Sequence, residues 1–246
     1  MMLKKALQNF KDFGLGVGSL YSLNRILSIA GIGGVYYYRI VAQPILEKKQ
    51  LPSHRGRQIE TRWLERDDPS LRMLPRPNSV LTSRFDQQSR CLGAFIKDQL
   101  VGCLWYVEKC YREDEVRCDF LFSDQIDCVW DYDVYVDPQH RIGFVFLRLW
   151  DDANDVLYQS GYRWSLSRIS GFNLESVRAH ARLGAKDIGG ATFLTLGKRQ
   201  WCWSTFFSGL GYSPNMNTYP VMEVRVPAEL RQDGSRPNVR SLDVVK

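Results

Sequence analysis

Histidine is scarce in this chain: His54, His140 and His180 are the only three in 246 residues, and none stands at metal-ligand spacing from a cysteine. The six cysteines, Cys91, Cys103, Cys110, Cys118, Cys128 and Cys202, form no CxxC pair, which excludes a zinc-site reading and leaves reduced core residues. With no secretory signal, they point to a reducing cytosol. No block of like charge interrupts the sequence. The net charge of +6 is scattered, and it suits an anionic ligand, a phosphorylated cofactor or an anionic membrane surface. No RNA-binding signature or zinc-finger spacing occurs, so no nucleic-acid partner is expected.

Long apolar runs are missing as well. The longest uncharged run near the start, Ile26 to Tyr38, holds 13 residues, against about 20 for a membrane-spanning helix. A cleaved signal peptide is disfavoured, because Tyr36-Tyr37-Tyr38 is bulky where cleavage sites are small. Residues 1–52 are therefore expected to be a helical extension that packs on the domain or, with its aromatic cluster, lies at a membrane interface. The expected location is cytoplasmic, with peripheral contact to the inner membrane face.

What is present is ordinary globular composition, 44% hydrophobic and 24% charged, without repeats. After a polar linker, Ser53 to Gln58, short strands are predicted at Ile59–Leu64, Cys91–Lys97, Leu100–Glu108, Val116–Phe122 and Asp127–Val136. Val145, Leu149, Val156 and Leu157 recur at helical spacing and Gly161 ends that helix. A strand at Arg163–Ile169, a helix opened by Asn173 and closed by Gly184, and a β-pair at Ile188–Leu196 and Arg199–Trp203 follow. This order predicts an α/β (α+β) domain over 53–226, with a mixed, mostly antiparallel sheet, flanking helices and a crossover in its second half. A flexible tail is expected over 227–246.

The segment Val136-Asp137-Pro138-Gln139-His140-Arg141 matches a V-x-P-x-x-R pattern, and after a helix and a strand comes Asn173-Leu174-Glu175-Ser176-Val177-Arg178-Ala179-His180, continuing to Gly184. Two half-motifs in this order resemble the acyl-CoA-binding core of the GNAT acyltransferase superfamily. The resemblance covers roughly residues 59 to 203. It implies a splayed central strand whose Val134 and Val136 pair with a pantetheine arm. It also implies a diphosphate held at Arg141, Ile142, Gly143 and Phe144, where a helix N-terminus offers unpaired amides. The family usually carries R-G-x-G-x-[GA] at that turn, whereas this chain has one glycine, Gly143. Acetyl-CoA or a longer acyl-CoA is the implied co-substrate, without a metal. An acyl carrier protein, which lacks the adenosine diphosphate, is the alternative donor.

Within this resemblance His180 occupies the place of a tyrosine that protonates the departing thiolate, and histidine titrates in the right range. A histidine that merely satisfies a polar contact is the plain alternative. Asn173 caps its helix or, as the resemblance implies, bonds the pantetheine arm, and Ser176, one turn on along the same face, is a second candidate for the same cofactor. Strand alternation is expected to set Asp127, Asp131 and Asp133 on one face, opposite Tyr132 and Val134, as a base or a seat for a cationic acceptor. Asp131 is the candidate base. The expected activity is acyl transfer to a small-molecule amine by direct transfer in a ternary complex. A long-chain donor on acyl carrier protein near a membrane, and a degenerate ligand-sensing or scaffold module, stand beside it. The tryptophans are expected mostly in the core, some lining an acyl tunnel.

Overall fold

The helical lead-in ends well before residue 52. In the computed structural model, which describes residues 2–122 and 124–232, helix α1 (Met2–Ala30) is kinked at Gly14, φ 74°. Gly31, at φ 66°, then turns the chain into strand β1 (Gly33–Pro44). Val35, Tyr36, Tyr37, Tyr38, Ile40 and Val41 are β-branched or aromatic, the residue types that suit a pleated, half-buried surface.

The remaining elements are β2 (Glu60–Leu64), α2 (Asn78–Asp86), β3 (Arg90–Ile96), β4 (Gln99–Val107), β5 (Cys110–Arg112), β6 (Asp119–Leu121) and β7 (Cys128–Val136). Then come α3 (Val145–Gln159), β8 (Trp164–Ser170), α4 (Leu174–Arg182), β9 (Lys186–Leu196), β10 (Arg199–Ser204), β11 (Gly211–Ser213), β12 (Val221–Glu223) and α5 (Ala228–Gln232). Nine strands form one sheet in the order β11-β10-β9-β1-β8-β7-β4-β3-β2. All its neighbours are antiparallel except β7 and β8, which α3 joins as a crossover. The fold is mixed α/β with a mostly antiparallel sheet and flanking helices, as expected.

β1 corrects the expected division at residue 52. It lies inside the sheet, antiparallel to β8 on one side and β9 on the other, so the first fifty residues supply a central strand. The linker expected at Ser53 to Gln58 is tied to α3, since Arg148 donates to Gly56 O at 3.3 Å, and just before it Asp151 of α3 accepts the amides of Gln50 and Leu51, each at 2.8 Å.

One face of the sheet is covered by α3 and α4. Val145, Leu149, Trp150, Ala153 and Leu157 of α3 pack there against Val129, Leu104 and Leu92. The other face meets a smaller sheet, β12-β6-β5, through stacked rings: Tyr111 on Tyr132 at 4.3 Å and Phe120 on Trp130 at 4.6 Å. Trp105, Trp130 and Trp150 are wholly buried, whereas Trp203 is half exposed. The expected flexible tail over 227–246 is not seen in its first residues, because Ala228–Gln232 form α5 and Arg231 pairs with Asp127 at 2.6 Å; the rest of it, residues 233–246, lies outside the described residues.

All six cysteines are free, and only Cys110 is exposed. Among the described residues no helix is long and apolar enough to cross a membrane, and no group of three His, Cys, Asp or Glu is placed to hold a metal ion. α1 leaves Leu15, Ile26 and Ile29 exposed.

Candidate active site

β7 and β8 run side by side for only three positions, Cys128 with Trp164, Val129 with Ser165 and Trp130 with Leu166. Beyond them β7 keeps only β4 as a partner, and β8 keeps only β1. The sheet therefore forks. The amide of Asp137 bonds Val101 O at 2.8 Å, on the β4 side. Backbone groups alternate sides along a strand, so those of Val136 and Val134 point into the fork. There Arg141 Nε donates to Val136 O at 3.3 Å.

A bulge changes what the strand presents. Cys103 pairs with Tyr135 and Trp105 with Tyr132, so Asp133 and Val134 together oppose Leu104. Asp133 takes φ 48°, a left-handed conformation rare for a non-glycine residue. The extra residue breaks the expected alternation. Asp131 stays with Val129, Val134 and Val136 on the helix-covered face, while Asp133 joins Tyr132 on the opposite one.

The three aspartates thus form no common seat for a cation. Asp133 is held by Arg76 and by Arg84 Nη1, the latter at 2.5 Å. Burial pushes its carboxyl up, but the two guanidiniums outweigh that and hold it below the usual range. Arg84 also bonds Asp114 and lies over the rings of Trp105 and Tyr132, at 5.3 and 5.1 Å. Asp127 is taken by Arg231.

Asp131 stands alone at the apex of the fork. It is 2% exposed, and Ser165 Oγ donates to its Oδ1 at 2.6 Å. Burial pushes its pKa up to about 7, against the opposing pull of the Ser165 and Ser167 hydroxyls. A carboxyl in that range can take and return a proton near neutrality.

His180 sits differently from its expected role. It is buried, with Nδ1 3.0 Å from Gln43 Oε1 of β1 and its ring edge-on to Phe146 and Trp150, each at 5.8 Å. Burial lowers its pKa to about 4. With the Gln43 oxygen turned to it, Nδ1 is the donor of this contact; turning the Gln43 amide over reverses the roles. A buried imidazole held neutral and engaged with Gln43 matches the plain alternative, a satisfied polar contact, better than an acid that titrates near neutrality.

Both connections leave the fork at its open end. β8 leads into Asn173, whose Oδ1 accepts the Ser176 amide at 3.1 Å and so caps α4. β7 leads into the turn Arg141–Phe144, closed by Gly143 N to His140 O at 3.1 Å, and α3 begins there without a side-chain cap. A Cβ at Gly143 would approach only His140 O, at 3.2 Å, and Ile142 is fully exposed. The segment before β2 closes on this turn: Arg55 lies 5.4 Å over the Phe144 ring, and Arg148 Nη2 donates to Gly56 O at 3.3 Å. Ser165, Gln43 and Arg55 carry no sequence signal for these places, because each is brought there by pairing or packing with distant segments.

Neither a protein-family model nor a curated protein matches the sequence. Among solved structures, a conserved protein of unknown function from Staphylococcus epidermidis ATCC 12228 is similar at 11% identity and a TM-score of 0.48. The match covers 69% of this chain and 64% of that one. A GNAT-family protein from Novosphingobium aromaticivorans DSM 12444 is similar at 16% identity and a TM-score of 0.46, covering 66% of this chain and 65% of that one. An aminoglycoside acetyltransferase from an uncultured soil metagenomic sample gives 12% identity and a TM-score of 0.34 over 50% of this chain and 87% of its own. The chain thus spans just under two thirds of the first two proteins, and none of these likenesses assigns a reaction to it.

Proposed function

We propose that this chain transfers an acyl group from a pantetheine thioester to an amine at the fork between β7 and β8. The observation that carries the reading is the edge of β7 that no strand pairs, where the backbone groups of Val134 and the amide of Val136 stand ready to bond a pantetheine arm as an added strand would, beside the Val136 carbonyl that Arg141 holds. Arg141, Ile142, Gly143 and Phe144, at the uncapped start of α3, are the residues that would meet a diphosphate, with Arg55 beside them. Asn173 and Ser176 flank the other arm of the fork.

Asp131 is the base in this reading. Its carboxylate takes a proton from the acceptor ammonium, and the freed nitrogen bonds to the thioester carbonyl carbon as the carbon–sulfur bond breaks. The electron pair of that bond goes to the departing sulfur, which collects the second proton that the nitrogen gives up. The thioester supplies the activated acyl carbon; the chain supplies alignment and proton removal.

Coenzyme A is the favoured donor form. A donor borne on acyl carrier protein has one observation in its favour, the fully exposed Ile142 beside the exposed Arg141, an apolar contact next to a cation where an acidic partner would dock. Leu15, Ile26 and Ile29 of α1 support a peripheral membrane contact for a cytoplasmic enzyme.

The deciding experiment sets acetyl-CoA, octanoyl-CoA and octanoyl-acyl carrier protein against a panel of primary amines and reads release of free thiol. Amine-dependent thiol release with one donor class is the expected result. Donor binding without release from any pair would favour a ligand-sensing module instead.

A further inference from the structure

Three adjacent strands place polar side chains on the helix-covered face around the fork: Gln43 on β1, Ser165 and Ser167 on β8, and Asp131 on β7. All four are essentially buried, and the register sets Gln43 opposite Ser165. Ser165 is spent on Asp131 Oδ1. Ser167 is not spent: its hydroxyl is buried without a hydrogen-bond partner, although the register sets it beside Asp131, one step past the Trp130–Leu166 pair. A buried hydroxyl left unpaired calls for an explanation. Ser167 is also the first β8 residue past the last β7 pair, so it stands at the apex where the strands part.

Among the described residues no fixed counter-charge faces Asp131. β4 places Tyr106 opposite it, and α4 contributes His180, which is neutral. Asp151 of α3 is engaged with Gln50 and Leu51, Arg168 of β8 with Glu113 and Glu115, Arg39 of β1 with Asp187, and Asp133 of β7 itself with Arg76 and Arg84. Hydroxyl donors are therefore the means of stabilising a carboxylate here. A protonated carboxyl has weaker acceptor capacity than an ionised one, so an idle second donor is what a neutral Asp131 would leave behind.

We propose that Ser165 and Ser167 form a two-hydroxyl seat that positions Asp131 as the proton acceptor at the fork, Ser165 holding one carboxyl oxygen and Ser167 closing on the carboxylate as it forms. The serines are positioning residues, and their role rests on the acyl-transfer reading given above. As the ammonium proton passes to Asp131, the carboxylate becomes a carboxylic acid and Ser167 is released; loss of that proton to solvent restores the seat for the next turnover.

The test has two readouts. The ionisation of Asp131 is followed by carbon-13 NMR of the full chain labelled at aspartate Cγ, with Asp131→Asn identifying the signal. Ser165→Ala and Ser167→Ala should each move the Asp131 midpoint up by about one pH unit, the usual worth of a hydrogen bond to a charged group. Ser165→Thr, which keeps the hydroxyl, should restore it. In parallel, the acid limb of kcat/KM for the best thioester–amine pair from the panel should move up with the NMR midpoint, at little cost to KM. An unmoved or lowered midpoint in both alanine variants overturns the seat. A shifted midpoint that the acid limb does not follow overturns its role in proton removal. If no pair releases thiol, the acyl-transfer reading falls, and the NMR midpoints alone still decide whether the serines stabilise the carboxylate.

Discussion

Trp130 and Leu166 face each other at the last position where β7 and β8 are paired, and the side chains one step further on, Asp131 and Ser167, stand where the strands separate. Burial and chemistry meet at that step: the fork needs a firm apex to open, and the wholly buried Trp130 and Leu166 supply it from the opposite face.

Replacing Asp131 with asparagine should lower turnover by about 10²- to 10⁴-fold, the range for loss of a general base, while donor affinity stays within a few-fold. Thiol-release kinetics beside calorimetric titration of donor measure both quantities. An equal loss in both would mean that Asp131 shapes the site rather than serving the reaction.

The same carboxyl should leave a mark on stability. Its folded pKa, about 7, lies above the ordinary aspartate value of 3.8, so the folded state holds a proton that the unfolded chain has lost between those values. This contribution is full below pH 4 and disappears as pH rises towards 7. His180 acts in the opposite sense, since its folded pKa of about 4 lies below 6.5 and its contribution is lost as pH falls through that window. The two slopes oppose each other between about pH 4 and 6.5. Urea unfolding at a series of pH values should therefore show a flat wild-type profile from this pair. Asp131→Asn should lose stability towards acid, and His180→Ala should gain it there, by up to ~1.4 kcal/mol per pH unit. Parallel profiles for all three proteins would contradict the assignment.

His180→Ala should also destabilise the fold at neutral pH by about 2–4 kcal/mol, because it opens a cavity between Phe146 and Trp150 and strands the Gln43 amide. The rate per folded molecule should remain within a few-fold of wild type. A hundredfold loss in that rate would return His180 to the chemistry.

At the start of α3, Arg141→Ala should weaken coenzyme A binding about tenfold without changing the melting temperature, since its one hydrogen bond is to Val136 O at the surface. Equal affinities for coenzyme A in wild type and variant would take the diphosphate away from this turn, and a selective loss of carrier-protein binding would give the surface to that partner.

If α1 lies on a bilayer, Ile26→Asp with Ile29→Asp should cut sedimentation with vesicles containing anionic phospholipid by roughly tenfold or more, as expected when two apolar side chains lose burial. Unchanged sedimentation would leave α1 as a purely structural cover for β1.

Much of this architecture is written in local pattern. Val145, Leu149 and Leu157 announce α3, Gly161 and Gly184 end their helices at φ 93° and 88°, and Asn173 caps α4 as its residue type suggests. β1 is different. Its Gly31–Gly34 opening and Tyr36-Tyr37-Tyr38 run fit an interfacial segment as well as a strand, and only pairing with β8 and β9 separates the two. The aspartates misled for a local reason, because a bulge is one residue of irregularity that reverses every later position. Asp131 could be nominated from its strand, but not its seat, since Ser165 and Ser167 are ordinary polar residues until β8 lies beside β7.

The place of β1 governs how the molecule must be made. Pro44 pairs with Trp164 and Gly33 with Leu196, so this central strand leaves the ribosome long before either neighbour exists. Until then its Val35-to-Val41 run has two unsatisfied edges, a template for unwanted pairing during synthesis. The sheet on both sides of β1 can close only after residue 196 has emerged, a topology of high contact order and slow assembly. Stalled chains cut before β8 should accordingly be the most chaperone-dependent lengths, and a circular permutation that starts the chain at β2 and brings β1 after α5 should spare it the wait.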